Sequence, residues 1–413
     1  MRRCALVVAS CAMACHPSRA GEGRGDAAPA EGKVAAIARE LVALDHAVDL
    51  EQIAIEIREP QRFVEQLDTV LQLQAADDYW AAMVALREAT GIEPTFEDPA
   101  ALRAEVAARR GQALLAFYDP QRRAIVFRSD ALPSADGLDV AVARALVHAF
   151  QDQRMGGLVA SLFMPDGPAD EARVQTCVLE GHASFVAEAM LAARRGEPPD
   201  RASAFAKPQR SIAGEVDVPC IEGALFVRDA FTRGGWPAVL RAVSSPPPST
   251  EMLAHPNKLD VDFPVRVGLP EWDEERLGAA KLVRDETIGE LGVRRLLHER
   301  GWSEKEAYAF ATGWDGDRMH VYALADGREI VIWRLLWDRE EDAVQFRNAL
   351  APKKDALPHF WRVAHRGRLV QAVSASDEQL AASLRDLLGG EEPPAEEAAD
   401  VASTKAAELH SPP

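Results

Sequence analysis

The chain has 413 residues, 47% hydrophobic and 27% charged, which supplies apolar material for one large core or two moderate ones. A formal net charge of −18 argues against nucleic acid or an anionic membrane surface as the main partner, since both repel an acidic protein.

The amino terminus reads as a leader. Met1-Arg-Arg is a positive start, and the apolar run from Cys4 to Ala14 is too short to span a bilayer. Val8-Ala-Ser-Cys11 and Ala12-Met-Ala-Cys15 each set small residues before a cysteine, as a lipoprotein cleavage box does. Residues 1–15 are therefore expected to be a signal peptide, with lipid on Cys15 or Cys11. An ordinary secretion signal cut near Ala20, or an unprocessed tail, is the alternative. Either export reading puts the protein outside the cytoplasm; the first places it in a bacterial cell envelope, touching the membrane through its lipid anchor alone. Residues 16–31, small and polar, read as a flexible tether. Outside the leader only Cys177 and Cys220 remain. In an oxidising compartment they either form a disulfide or stay buried as free thiols.

From Lys33 the pattern is helical (Val34, Ile37, Leu41, Leu44), and residues 53–57 alternate as a short strand. Helices are expected over 61–90 and from Asp98 or Pro99 through Ala108. Residues 112–118 and 123–127 read as a hairpin about Asp119-Pro120. No Gly or Pro interrupts 138–153, where Val142, Ala143, Leu146, Val147 and Phe150 form an apolar face. Arg144, His148 and Asp152, four apart, form a polar stripe along the same helix. A second helix carries Glu180 and runs through Arg195. Gly234-Gly235-Trp236 reads as a helix-ending turn, and Ser249 or Thr250 as a helix cap. Beyond lie a helix from Asp285, and a helix opened by the capping-box pair Ser303 and Glu306 and ended at Gly313-Trp-Asp-Gly-Asp317. A hairpin of 318–324 and 329–336 about Asp326-Gly327 follows, then a helix over 338–349, a hairpin of 360–364 and 368–373, and a helix over 377–388. Residues 389–413, rich in Glu, Ala and Pro, read as a disordered acidic tail. The fold class is α+β and mostly helical, with one domain over 32–284 and an α+β unit over 285–388.

The stretch Arg144-Ala-Leu-Val-His148-Ala-Phe-Gln-Asp-Gln153, followed by Glu180-Gly-His-Ala-Ser184, resembles the zinc helix and next-helix ligand segment of zincin-like, gluzincin-type metallopeptidase homologues. Those carry His-Glu-Leu-x-His-Ala-Leu-Gln-Asp-Gln and Glu-Gly-Asp-Ala-Thr. Further segments are similar in order: Phe117-Tyr-Asp-Pro120, Glu222-Gly-Ala-Leu-Phe-Val227, Gly234-Gly-Trp236, Ser249-Thr-Glu251 with His255-Pro-Asn-Lys258, and Gly313-Trp-Asp-Gly-Asp317. Together they span most of the chain from about Phe117 to Phe346.

The resemblance implies a zincin-like core in which His148 and Glu180 are vestigial metal ligands. It also exposes two departures. Arg144 stands where the first metal histidine would be, and Ala145 where the general-base glutamate would be. A catalytic zinc needs three protein ligands and an open position. Arginine cannot deprotonate to serve, and alanine cannot take a proton from water. No catalytic residue is therefore assigned and no cofactor is expected. The family geometry would bring Arg144 and Glu180 into one cleft as an ion pair, a fixed cation in place of a bound one; Arg144 reaching out to solvent is the alternative. The function expected is that of a pseudo-peptidase binding an unidentified peptide or envelope protein, with the hairpin as the floor of the helix pair. The rival is an active metallohydrolase with a rewired zinc site on His148, Glu180 and one of Asp152, His182 or His255.

Overall fold

In a computed structural model of the chain, the residues described are 24–74, 80–81, 83–84, 96, 98–132, 137–154, 169–201, 221–269, 277, 280–326, 328–350, 360–375 and 378–384. The leader, Cys220 and the acidic tail lie outside them, as does most of the helix expected beyond residue 74. The fold is α+β and mostly helical.

The first half is organised on a three-stranded sheet, β1 (Ala54–Arg58), β2 (Ala116–Asp119) and β3 (Ala124–Arg128), in the order β1-β3-β2. β2 and β3 are the expected antiparallel hairpin, with Tyr118 opposite Ile125. β1 runs parallel to β3, with Ile55 beside Ile125. Alternation sends Tyr118, Ile125 and Phe127 to one core and Phe117, Ala124 and Val126 to another. The second core is closed by α2 (Pro60–Gln74) and α3 (Pro99–Ala113), which is capped by Asp98 and continues to Ala113, so β2 begins later than the apolar run suggested. The first core is closed by α1 (Arg24–Val42), α4 (Leu138–Arg154) and α5 (Ala169–Arg194). The tether expected over 16–31 is corrected here: the chain is helical from Arg24, and Ala30 is buried beside Val34 and Ile37. Burial of that small apolar face outweighs a locally polar sequence.

α5 also packs on α6 (Ile221–Ser244) and the short α7 (Thr250–Ala254). The expected break at Gly234-Gly235 is present as a kink, with Gly235 at φ 62°. Ser249 caps α7.

The second half is an antiparallel five-stranded sheet, ordered β4-β5-β6-β8-β7: β4 (Lys281–Glu286), β5 (Trp314–Ala323), β6 (Glu329–Trp337), β7 (Phe360–Arg366) and β8 (Leu369–Ala375). α8 (Gly289–Glu299), α9 (Glu304–Ala311) and α10 (Glu340–Leu350) cover one face, where Trp314, Trp333, Trp337 and Phe346 are buried. α11 (Glu378–Ser383) precedes Leu384, which packs on the other face with Tyr322, Ile330 and Ile332. The Ser303–Glu306 capping box is formed. Two expectations are corrected. Asp285 lies in strand β4, not a helix, and α8 starts only at Gly289. Gly313–Asp317 does not merely end a helix; Trp314 opens β5.

Candidate functional site

α4 and α5 lie side by side and bring the predicted pair together. Arg144 donates from Nη2 to Glu180 Oε2 at 2.8 Å, and His148 Nε2 lies 3.5 Å from the same oxygen. The three side chains are partly open to solvent, 23%, 34% and 17% exposed for Arg144, Glu180 and His148. Burial pushes the Glu180 carboxyl up, but His148, Arg144 and Arg110 outweigh it and hold the group well below the usual carboxylate range. Ala145, at the base position, faces the apolar core.

Of the residues behind His148, sequence singled out His182 as a possible metal ligand and left Gln151 and His46 without a role; together they determine which way the His148 ring is protonated. His148 Nδ1 contacts Gln151 Oε1 at 2.9 Å. Gln151 Nε2 donates to the Leu179 carbonyl and reaches His182 Nδ1, both at 3.0 Å. His182 Nε2 meets His46 Nε2 at 2.8 Å, and His46 Nδ1 meets the Leu44 carbonyl at 2.5 Å. One proton assignment satisfies the whole chain. A carbonyl only accepts, so His46 carries its proton on Nδ1 and accepts on Nε2. His182 then donates from Nε2 and accepts from Gln151 on Nδ1. Both Gln151 amide hydrogens are thereby used, and its oxygen accepts from His148 Nδ1–H. His148 is left presenting Nε2 to Arg144 and Glu180. Burial pushes His46 down to about 4, the Leu44 carbonyl partly offsetting it, and pushes His182 well below the ordinary imidazole value. Both are therefore neutral, as the assignment requires. Phe150, tilted, and Trp236, edge-on, pack against His46 with ring centroids 4.8 Å away, closing the deep end.

Two expected substitute ligands are corrected by this geometry. His182 is fully buried with both ring nitrogens engaged, so it points away from the cleft. Asp152 accepts from the Tyr118 hydroxyl at 2.8 Å and pins α4 to β2. Gln153 completes the row by clamping the Asp49 backbone through both halves of its amide. Gln151, Asp152 and Gln153 thus reach three different elements. The run that resembled a zinc-helix signature holds the fold.

The donor set does not fit a catalytic zinc. His148 and Glu180 are two donors, and a guanidinium lies 2.8 Å from one of them. The one group of three ligand atoms that the described residues bring within 4.8 Å of one another is Glu251, Asp262 and Asp338, elsewhere in the fold. That group already encloses a cation. Lys258 Nζ donates to Glu251 at 2.7 Å, Asp262 at 2.8 Å and Asp338 at 2.6 Å, matching three ammonium hydrogens to three carboxylates.

A family model described as a domain of unknown function (DUF8575) matches residues 275–384. No curated protein and no solved structure matches the chain. The DUF8575 match takes in β4 through α11.

The DUF8575 segment is tied to the helical half by polar contacts: the Leu291 backbone donates to Thr250 Oγ1 and the Asp170 backbone donates to the Thr287 carbonyl, both at 3.1 Å. Asp170, at the start of α5, accepts from the Thr250 hydroxyl at 2.6 Å and the Thr250 backbone at 3.1 Å. Within the segment, Asp317 of β5 accepts from the backbone of Ile288 and Gly289 and from the indoles of Trp314 and Trp333, which fixes the start of α8 against the sheet. His255, the third candidate ligand, is also corrected: its Nε2 lies 2.9 Å from the buried Glu290, which Arg294 grips at 2.5 Å while reaching Glu222 at 3.2 Å. Segments 222–227 and 249–258 are therefore joints between the halves. Cys177 is disulfide-bonded; Cys220, its expected partner, lies outside the described residues, as do Cys11 and Cys15. Among the described residues no helix is long and apolar enough to cross a membrane.

Proposed function

We propose that this chain is a pseudo-peptidase: an exported, lipid-anchored protein with a zincin-like scaffold in which the Arg144 guanidinium takes the place of the catalytic metal. It binds a peptide or an envelope protein without cleaving it. The observation that carries the reading is the 2.8 Å Arg144–Glu180 pair, which sets a permanent cation against the remaining carboxylate ligand. Ala145 supports it, since a methyl group stands where the resembling family carries its general-base glutamate. His148, oriented through Gln151, is a partly exposed ring beside the pair, and β2 lies under the same helix as its floor. Such an arrangement offers a ligand charged and hydrogen-bonding groups in one cleft.

Metal analysis of the purified protein, alongside an Arg144→His plus Ala145→Glu double mutant, tests the reading. Zinc is expected in the double mutant only, since it restores a third ligand and the base. Stoichiometric zinc in the native protein, held by α4 and α5 and accompanied by peptide cleavage, would overturn it. Mass spectrometry of the mature amino terminus tests the export reading separately; an unprocessed Met1 would remove it.

A further inference from the structure

The face of the five-stranded sheet that α8, α9 and α10 leave uncovered carries an excess of arginine. Strand alternation puts Arg318 of β5, Arg334 of β6, and Arg362 and Arg366 of β7 on it. Arg318 and Arg334 are directly opposite one another, with Cβ atoms about 5 Å apart, and such a like-charge pair is unfavourable unless both are neutralised. Asp285 of β4 holds Arg318, and Glu378 lies 3.4 Å from Arg362. Arg334 has only the Gly268 carbonyl, at 3.2 Å. Its Nε and Nη2 make no hydrogen bond among the described residues and reach solvent. Val267 seats the Gly268 segment on Leu336 and Leu369, in the row next to Arg334, which brings Arg266 to the same face. Arg266 and Arg366 are exposed, and among the described residues neither is paired with a carboxylate.

Three uncompensated cations thus share one sheet face of a protein with a net charge of −18. From Arg334 across β8 to Arg366 is about 12 Å between backbones, a spread that suits a row of carboxylates better than one small anion. The chain itself supplies such a row. Leu384, just past α11, packs on Tyr322, Ile330 and Ile332 of this same face. Residues 389–400 then hold Glu391, Glu392, Glu396, Glu397 and Asp400, and no lysine or arginine. The step from Leu384 to Glu391 can span up to about 23 Å. That exceeds the roughly 19 Å from β4 to β7, so every arginine on the face is within reach. A tethered segment is held at an effective concentration of about 1 mM. Surface pairs worth about 0.5 kcal/mol each therefore suffice when several form together.

We propose that the acidic segment 391–400 docks on this face and pairs its carboxylates with Arg266, Arg334 and Arg366. The surface lies largely within the DUF8575 match and does not depend on the Arg144–Glu180 cleft.

The test is zero-length cross-linking of the full chain carrying Arg334→Lys or Arg366→Lys, each of which keeps the charge and adds an amine. A water-soluble carbodiimide activates a carboxylate, and a touching amine displaces the activating group to form an amide. Peptide mapping is expected to join the substituted position to an acid of 391–400. The yield should be about tenfold above that at Lys305 of α9, on the helix-covered side of the sheet. It should fall several-fold in about 0.5 M sodium chloride, which screens the pairs. Arg266→Lys, at an exposed position, serves if the other variants do not fold. Mixing unlabelled with nitrogen-15-labelled protein separates links within one copy, which are expected, from links between copies. Links mainly between copies would give the face to a second chain and overturn the proposal. So would a yield no higher than at Lys305, or no link to 391–400 at all.

Discussion

Gly181 of α5 and Gly223 of α6 meet backbone to backbone. A Cβ on Gly181 would lie 2.2 Å from the Gly223 carbonyl carbon, and one on Gly223 would lie 1.8 Å from the Cys177 oxygen. The two helices therefore approach as closely as helices can, and each glycine directly follows a glutamate that serves a polar contact, Glu180 and Glu222. The obstructing atoms are main chain, so they cannot swing aside. Gly181→Ala or Gly223→Ala is expected to cost about 3 kcal/mol or more, at the upper end of overpacking effects. Urea denaturation measures it; a loss under a few tenths of a kcal/mol would mean that the helices separate freely.

The Gln151 relay predicts the protonation of His148. Nitrogen-15 spectra should show a proton on His148 Nδ1, and His46 and His182 neutral from pH 5 to 8. Gln151→Leu removes an acceptor and two donors from buried partners and should cost about 2–4 kcal/mol. It should also let the His148 proton redistribute to Nε2. An unchanged tautomer in the variant would show that Gln151 does not orient the ring.

Lys258 predicts a conditional cation site. Lys258→Ala leaves Glu251, Asp262 and Asp338 facing one another, at a cost of about 2–4 kcal/mol given that two of them are partly exposed. Calcium should recover part of that loss in the variant and leave the native protein unaffected, because oxygen donors of this kind suit a hard ion once the ammonium is gone. Calcium-dependent melting of the two proteins decides it.

Asp170 predicts a pH dependence of stability. Burial pushes its carboxyl up to about 6, Thr250 and Arg173 partly offsetting and Asp317 adding. The folded chain holds a proton that the unfolded chain releases near the ordinary value of 3.8. The contribution is thus full below about pH 4 and is lost as pH rises to about 6, roughly 3 kcal/mol in all. Glu180 acts in the opposite sense. Held below its ordinary range, it stabilises above that range and loses the effect as pH falls. Urea melts between pH 4 and 7 should show a slope that Asp170→Asn flattens; an identical slope in the variant removes the assignment.

Local and periodic features were legible from the chain alone. Four-residue spacing put Arg144 and His148 on one face of α4, and Ser303 with Glu306 formed its capping box, because both depend on neighbours within a turn. Strand β4 was not legible. Lys281–Glu286 is charged and mostly exposed, and its strand character comes from pairing with β5 rather than from alternating burial. His46 was invisible for a similar reason. It lies just after α1, and its partner His182 is 136 residues away. Gln151, Asp152 and Gln153 were read as part of a resemblance, but no local rule foretells that each clamps a different element. His182 was a ligand candidate by residue type, while its position two residues from Glu180, about 200° around the helix, already argued for a structural role.

The ammonium at the centre of Glu251, Asp262 and Asp338 is carried on the polypeptide itself. A counter-ion delivered by translation is present in every copy from the moment of folding, and its supply is independent of the surroundings. Chelators and metal-poor growth media should therefore leave this joint between the halves untouched, and its stoichiometry is fixed by the gene.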